Sequence, residues 1–275
     1  MSIIANTDTW LENGFQPISL AALNGKAAML ERLDNKYVVD ATVLKHAAGA
    51  LAEAFDVLEI DGLRAFTYET CYFDDAGRHS YFDHHHHQGR RQRAKVRLRR
   101  YAEAGLCFLE VKLKDKRGIT VKKRLNRDAE TFGMLDETAL AFIDDVYRAQ
   151  YGLPFPHTLI RVIDMRYRRM TLVAKQGGER MTIDCGLQFY TPDARHAVDE
   201  GLFILETKSA NGNGVADGIL RGLHQHPTKR CSKYCVGTAL LNPGTRHNKF
   251  LPALRKLGGI PGSDVLHRRH LDRSE

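Results

Sequence analysis

At 275 residues, 43% apolar and 27% charged, the chain can bury a substantial core as one large or two modest domains. A formal charge of +8 favours an acidic partner such as phosphate, nucleic acid or a membrane surface. No run approaches the roughly 18 apolar residues of a membrane span, and no basic segment precedes an apolar one as in a signal peptide, so a cytoplasmic location is expected. Cys71, Cys107, Cys185, Cys231 and Cys235 lack paired ligand spacing. They read as reduced, mostly buried hydrophobes rather than a zinc site, although Cys231 and Cys235 could share a helix face.

In chain order, residues 1–30 read as a weakly patterned, helical lead-in. Arg32 to Val39 reads as a strand, and Asp40 as the N-cap of a helix in which Val43, Leu44, Ala47, Leu51 and Phe55 recur at helical spacing. Phe66 to Phe73 is a strand entering a polar turn at Asp74-Asp75-Ala76-Gly77. Two alternating strands follow, Arg93 to Tyr101 and Phe108 to Lys114, joined around Ala104-Gly105, and the basic pattern continues over Ile119 to Leu125. Asp128 to Tyr151 reads as one helical stretch stopped by Gly152. Strands resume at Leu159–Ala174, Arg180–Tyr190 and Leu202–Lys208, with Gly177-Gly178 as a hairpin turn. Residues 241–275 read as a helical tail. Many antiparallel strands with a few packed helices predict one α+β domain, its sheet curled to put a charged face inside.

The charge pattern carries the function. Side chains alternate across a strand, so Arg93, Lys95, Arg97 and Arg99 share one face, with Ala94, Val96 and Leu98 opposite. Glu110, Lys112 and Lys114 line one face of the next strand. Cations about 7 Å apart repel by about 2 kcal/mol per pair at an effective dielectric near 20. Such a face suits either bulk water or a polyanion. Its recurrence at Arg180-x-Thr182-x-Asp184 and Glu206-x-Lys208, with few acids among many bases, favours the polyanion. Asp34, Glu110 and Glu206 each stand two residues from a cation on the same strand face, and Asp184 stands four from Arg180. They can neutralise neighbours or hold a hard metal that bridges phosphates; Glu206 is the foremost metal candidate.

Arg32-x-Asp34-x-Lys36-Tyr37, Tyr72-Phe73-Asp74, Arg93-x-Lys95-x-Arg97-x-Arg99-x-Tyr101, Leu109-Glu110-x-Lys112, Tyr167-x-Arg169, Arg180-x-Thr182-x-Asp184, Leu205-Glu206-x-Lys208 and Ser232-Lys233-Tyr234 occur in this order. Together they resemble the VTC domain, the polyphosphate polymerase branch of the triphosphate tunnel metalloenzymes, over roughly Glu31 to Val236. The resemblance implies a VTC-like domain over residues 31–240. Its fold would be a closed, eight-stranded antiparallel β-barrel tunnel with helices packed outside. It implies transfer of the ATP γ-phosphoryl group to growing polyphosphate, with Mn²⁺ or Mg²⁺ as cofactor. By motif position, Lys36, Arg97, Arg99, Lys112, Arg169 and Lys233 would act on phosphate, with Arg93, Lys95, Lys114, Arg180 and Lys208 as further contacts. Glu206 would hold the metal, joined by Asp34, Glu110 and Asp184; Asp34 stands where the family carries glutamate.

A tunnel triphosphatase and a silent polyphosphate or inositol-phosphate binding module remain alternatives. ATP and polyphosphate are the expected partners, and any membrane role would come through a partner protein. Nucleic acid is not expected, because the aromatics do not interleave the basic strands as stacking platforms would. His84 to His87 read as a solvated loop.

Overall fold

The computed structural model describes residues 11, 13–26, 33–86, 92–114 and 120–259. Half of the expected lead-in, the far part of the C-terminal tail, and Arg32, His87 and Ile119 lie outside the described residues. The strands are β1 (Gln16–Ile18), β2 (Leu33–Asp40), β3 (Phe55–Leu58), β4 (Ala65–Asp74), β5 (Ala94–Tyr101), β6 (Leu106–Lys114), β7 (Thr120–Arg127), β8 (Ile160–Ala174), β9 (Arg180–Tyr190), β10 (Arg195–Ala197) and β11 (Leu202–Ser209). The helices are α1 (Leu20–Lys26), α2 (Ala41–Ala54), α3 (His79–His86), α4 (Glu137–Tyr151), α5 (Val215–Gly222), α6 (Lys233–Leu241) and α7 (Leu251–Lys256).

The local signals act where expected. Asp40 caps α2 by accepting a hydrogen bond from the Val43 N–H at 2.9 Å, and Gly152 ends α4 in the left-handed region at φ 74°. The expected single helix over Asp128–Tyr151 is instead broken into a 3-10 turn, Ala129–Thr131, and α4. Gly133 adopts φ 93°, a conformation no helix continues through, and Asp136 recaps the chain by accepting from Ala139 N–H.

All eleven strands join one sheet, whose main path runs β2-β11-β9-β8-β4-β5-β6-β7. The expected closed eight-stranded barrel is therefore corrected. Eight strands form the path, but its ends, β2 and β7, do not pair, and three short strands attach outside it. The β2 edge is instead covered by the loop before α6, where Thr228 N–H donates to the Lys36 carbonyl at 2.6 Å.

Register divides the sheet into two faces. On the outer face Tyr37, Val39, Leu172, Met181, Ile183, Phe203 and Leu205 pack with α2 and α5. Val96, Leu98, Leu109 and Val111 pack beneath Ala139, Ile143 and Tyr147 of α4. At one end of the inner face α6 lies on Val38, Tyr72, Ile163, Phe189 and Ile204 through Tyr234 and its buried neighbours. That approach needs Gly237, where a Cβ would collide with the Phe189 and Ile163 side chains. The helix starts at Lys233, so Cys231 stands outside it and the expected shared face with Cys235 does not form. The cysteines are free.

Candidate phosphate-binding face

Cross-strand register brings the alternating charges onto the inner face. Lys36 stands opposite Glu206, which stands opposite Thr182. Arg169 stands opposite Asp184 and Phe66. Arg97 lies between Tyr72 and Glu110, and Lys95 opposite Lys112, which faces Lys122. The Ser232-Lys233-Tyr234 segment then reaches this face from α6: Lys95 donates to the Ser232 hydroxyl at 3.1 Å, and Lys233 touches the Asp184 carboxylate.

Three carboxylates hold this array, each between two cations. Asp184, fully buried, receives Arg169 in a two-pronged contact at 2.5 and 2.7 Å, together with Lys233. Burial would raise its carboxyl, but Arg169 and Lys233 outweigh it and hold it well below the usual range. Glu110, 1% exposed, takes the Arg97 guanidinium at 2.5 and 2.6 Å and the Lys122 ammonium. Its carboxyl is likewise held far down by Arg97, Arg99 and Lys122 against the effect of burial. Glu206 pairs with Lys36 at 3.4 Å and with Lys208. Asp34 is the most open of the four, 4.0 Å from Lys208.

Tyrosines floor the array. Arg97 donates to the Tyr72 hydroxyl at 2.8 Å and Arg99 to the Tyr167 hydroxyl at 3.0 Å. Arg99 and Arg169 lie 5.3 and 5.0 Å from the Tyr68 ring centroid, and Lys233 4.9 Å from that of Tyr167. Aromatics thus lie beneath the basic rows. They are capped by cations rather than open to bases.

Positive charge nonetheless exceeds negative. Lys112 has no ion-pair partner among the described residues, and Arg97, burial and Arg99 push its ammonium well below the ordinary lysine range. Burial would raise the Tyr72 hydroxyl, yet Arg97, Arg99 and Lys95 bring it down. Arg97 and Arg99 contribute to both shifts.

The remaining expected residues sit at the margins. Arg180 pairs across from Lys208 and donates to the Asn24 side chain at 3.2 Å. Lys114 closes the end of β6, and Arg93 falls just before β5, where its carbonyl accepts from the Lys114 N–H at 3.2 Å. Lys122, Tyr72, Tyr167 and Ser232 belong to the array but are absent from the expected site. Lys122 was signalled by the basic run on β7, the others only by the motifs that contain them.

For a divalent ion the donors differ in fitness. Glu110 and Asp184 have their oxygens engaged by cations and almost no exposed surface. Glu206 also meets two cations, Lys36 and Lys208, but keeps 15% side-chain exposure, which suits a hard ion bound by one carboxylate and completed by phosphate oxygens and water.

The family model of the VTC domain matches residues 31–242. The chain belongs to the VTC domain family. No curated protein matches it. Among solved structures, a candidate adenylyl cyclase from Hippeastrum with a dominant triphosphatase activity is 13% identical at a TM-score of 0.45, covering 76% of this chain and 96% of that one. A candidate adenylate cyclase from Bacillus halodurans is also 13% identical at 0.45, over 73% and 94% of the two chains. These likenesses are too slight to carry function. No described helix of this VTC chain is long and apolar enough to cross a membrane.

Proposed function

We propose that this VTC-domain chain is a metal-dependent polyphosphate polymerase that transfers the γ-phosphoryl group of ATP to the terminal oxygen of a polyphosphate, releasing ADP. The observation that carries the reading is the row of cations on the inner face, where half-buried Lys112 stands between Lys95 and Lys122 with no ion-pair partner among the described residues. A chain of phosphates would supply the missing negative charge along the whole face, and membership of the VTC family supports the same substrate class.

Phosphoryl transfer asks the protein mainly for alignment and charge neutralisation. Arg97, Arg99 and Arg169 present forked donors that match phosphate oxygens, while Lys36, Lys112 and Lys233 act as point charges. Lys95, Lys122 and Lys208 extend the row, and Glu110 and Asp184 fix the arginines from behind. The acceptor oxygen is already ionised, so no general base is needed. The bond from the γ-phosphorus to the β–γ bridging oxygen breaks as the acceptor–phosphorus bond forms. Mn²⁺ or Mg²⁺, held by Glu206 with Asp34 at its edge, supplies neutralisation of the transferred group when bound.

Incubating the purified protein with ATP and Mn²⁺ tests this directly. ADP together with long-chain polyphosphate is the expected result. Orthophosphate as the sole product would replace the reading with a triphosphatase, and tight tripolyphosphate binding without metal-dependent turnover would replace it with a binding module.

A further inference from the structure

Asp75, His79 and His157 form a cluster that the phosphate face does not use. Their ligand atoms lie within 4.8 Å of one another. Asp75 and His79 flank the turn between β4 and α3, and His157 stands in the segment between α4 and β8, so the cluster ties together two parts of the chain far apart in sequence. The N-terminus of α3 does not need all the carboxylate present. Asp74 accepts from the Ser80 and Tyr81 N–H groups at 3.0 Å, and Asp75 Oδ1 accepts from the His79 N–H at 3.0 Å. Asp75 Oδ2 is left facing the Nδ1 atoms of both imidazoles, His157 at 2.8 Å and His79 in closer contact.

The two rings stack with centroids 4.7 Å apart and planes at 19°. Both rings turn the same atom, Nδ1, toward one carboxylate oxygen, the donor set of two imidazoles and a carboxylate that metal sites use. A single divalent ion accepts both ring lone pairs and the carboxylate oxygen together. Donors about 2.1 Å from a tetrahedral ion stand about 3.4 Å apart, so the cluster needs only a small adjustment. Gly77 leaves room for the His79 ring, since a Cβ there would meet its Cε1 at 3.0 Å.

We propose that Asp75, His79 and His157 bind one Zn²⁺-class ion, separate from the phosphate face, that staples the β4–α3 turn to the segment preceding β8. Two imidazoles and one carboxylate favour a borderline transition ion over Mg²⁺, so this site and the Glu206 site differ in metal preference. The ion secures a turn whose neighbour, Asp74, accepts the Tyr234 hydroxyl of α6, so its stabilising effect extends to the helix carrying Lys233.

The test uses chelator-stripped full-length protein, titrated with Zn²⁺ by calorimetry and with Co²⁺ by visible absorption. Wild type is expected to bind one ion, develop a tetrahedral Co²⁺ band and melt several degrees higher with Zn²⁺, since a ligand that binds only the folded state raises Tm. His157→Gln should lose the band and the melting shift while still binding tripolyphosphate. Replacing His84, His86 and His87 together by Gln controls for the histidine run and should leave both signals intact. Binding that survives in His157→Gln, binding lost in the histidine-run variant, or no saturable Zn²⁺ site in wild type would each overturn the assignment.

Discussion

Two buried aspartates, one on each face of the sheet, meet opposite company. On the outer face Asp217 accepts from Tyr37 at 2.6 Å, Thr207 at 2.8 Å, Asn35 at 2.9 Å and the Gly214 N–H at 3.0 Å. Burial would raise its carboxyl, but these neutral donors bring it down. On the inner face Asp184 is held by two full cations. The outer arrangement is complete in itself and ties β2, β11 and α5 together. The inner one gathers more cations than carboxylates, and the proposed phosphate chain would balance them.

The comparison can be broken by removing each carboxylate. Asp184→Ala leaves Arg169 and Lys233 buried without a counter-ion and should cost about 3–5 kcal/mol in urea unfolding. Tripolyphosphate should restore much of that loss. Asp217→Ala strands three side-chain donors and should cost about 3 kcal/mol, with no restoration beyond the shift seen in wild type. Equal rescue of both variants would erase the distinction between the faces.

Smaller effects sharpen it. Glu206→Gln should lower metal-dependent turnover by about 10²-fold or more, the scale of losing one electrostatic stabiliser of the transition state. Tripolyphosphate binding should stay near wild type in calorimetry. Gly237→Ala should push α6 off Phe189 and Ile163, costing about 1–3 kcal/mol and weakening phosphate binding through displaced Lys233. Lys36→Ala, at the β2 end of the face, should weaken tripolyphosphate binding about tenfold, equivalent to losing one charged hydrogen bond.

Much of this was legible because a strand records its faces every second residue. The alternation puts Lys95, Arg97 and Arg99 on one face of their strand and Glu110 and Lys112 on one face of theirs, and register then joins the two rows. Closure of the barrel was not legible, since it depends on whether β2 and β7 meet, and no local pattern encodes that. The tyrosine floor was hidden because Tyr72 and Tyr167 enter from strands whose partners are set only by register. The Asp75–His157 contact joins residues far apart with no periodicity to announce it, while the conspicuous run at His84–His87 drew attention instead. The solvated loop expected there is corrected, because His84 to His86 lie on α3 and His85 is buried; His84 bonds the Ser80 carbonyl at 2.7 Å and His85 the Asn248 side chain at 2.7 Å.

Lys112 offers the most direct test of the cation excess. Its ammonium is depressed in the free protein, and a phosphate chain beside it would return it toward the ordinary lysine range. Between those two values, binding must draw a proton from solution, and the uptake should fade once the pH falls below the depressed value, where Lys112 is already charged. Tripolyphosphate calorimetry at mildly alkaline pH, in two buffers of different ionisation enthalpy, reads that proton. Net uptake in wild type that is lost in Lys112→Met is the predicted result. The same proton balance in both proteins would contradict the account.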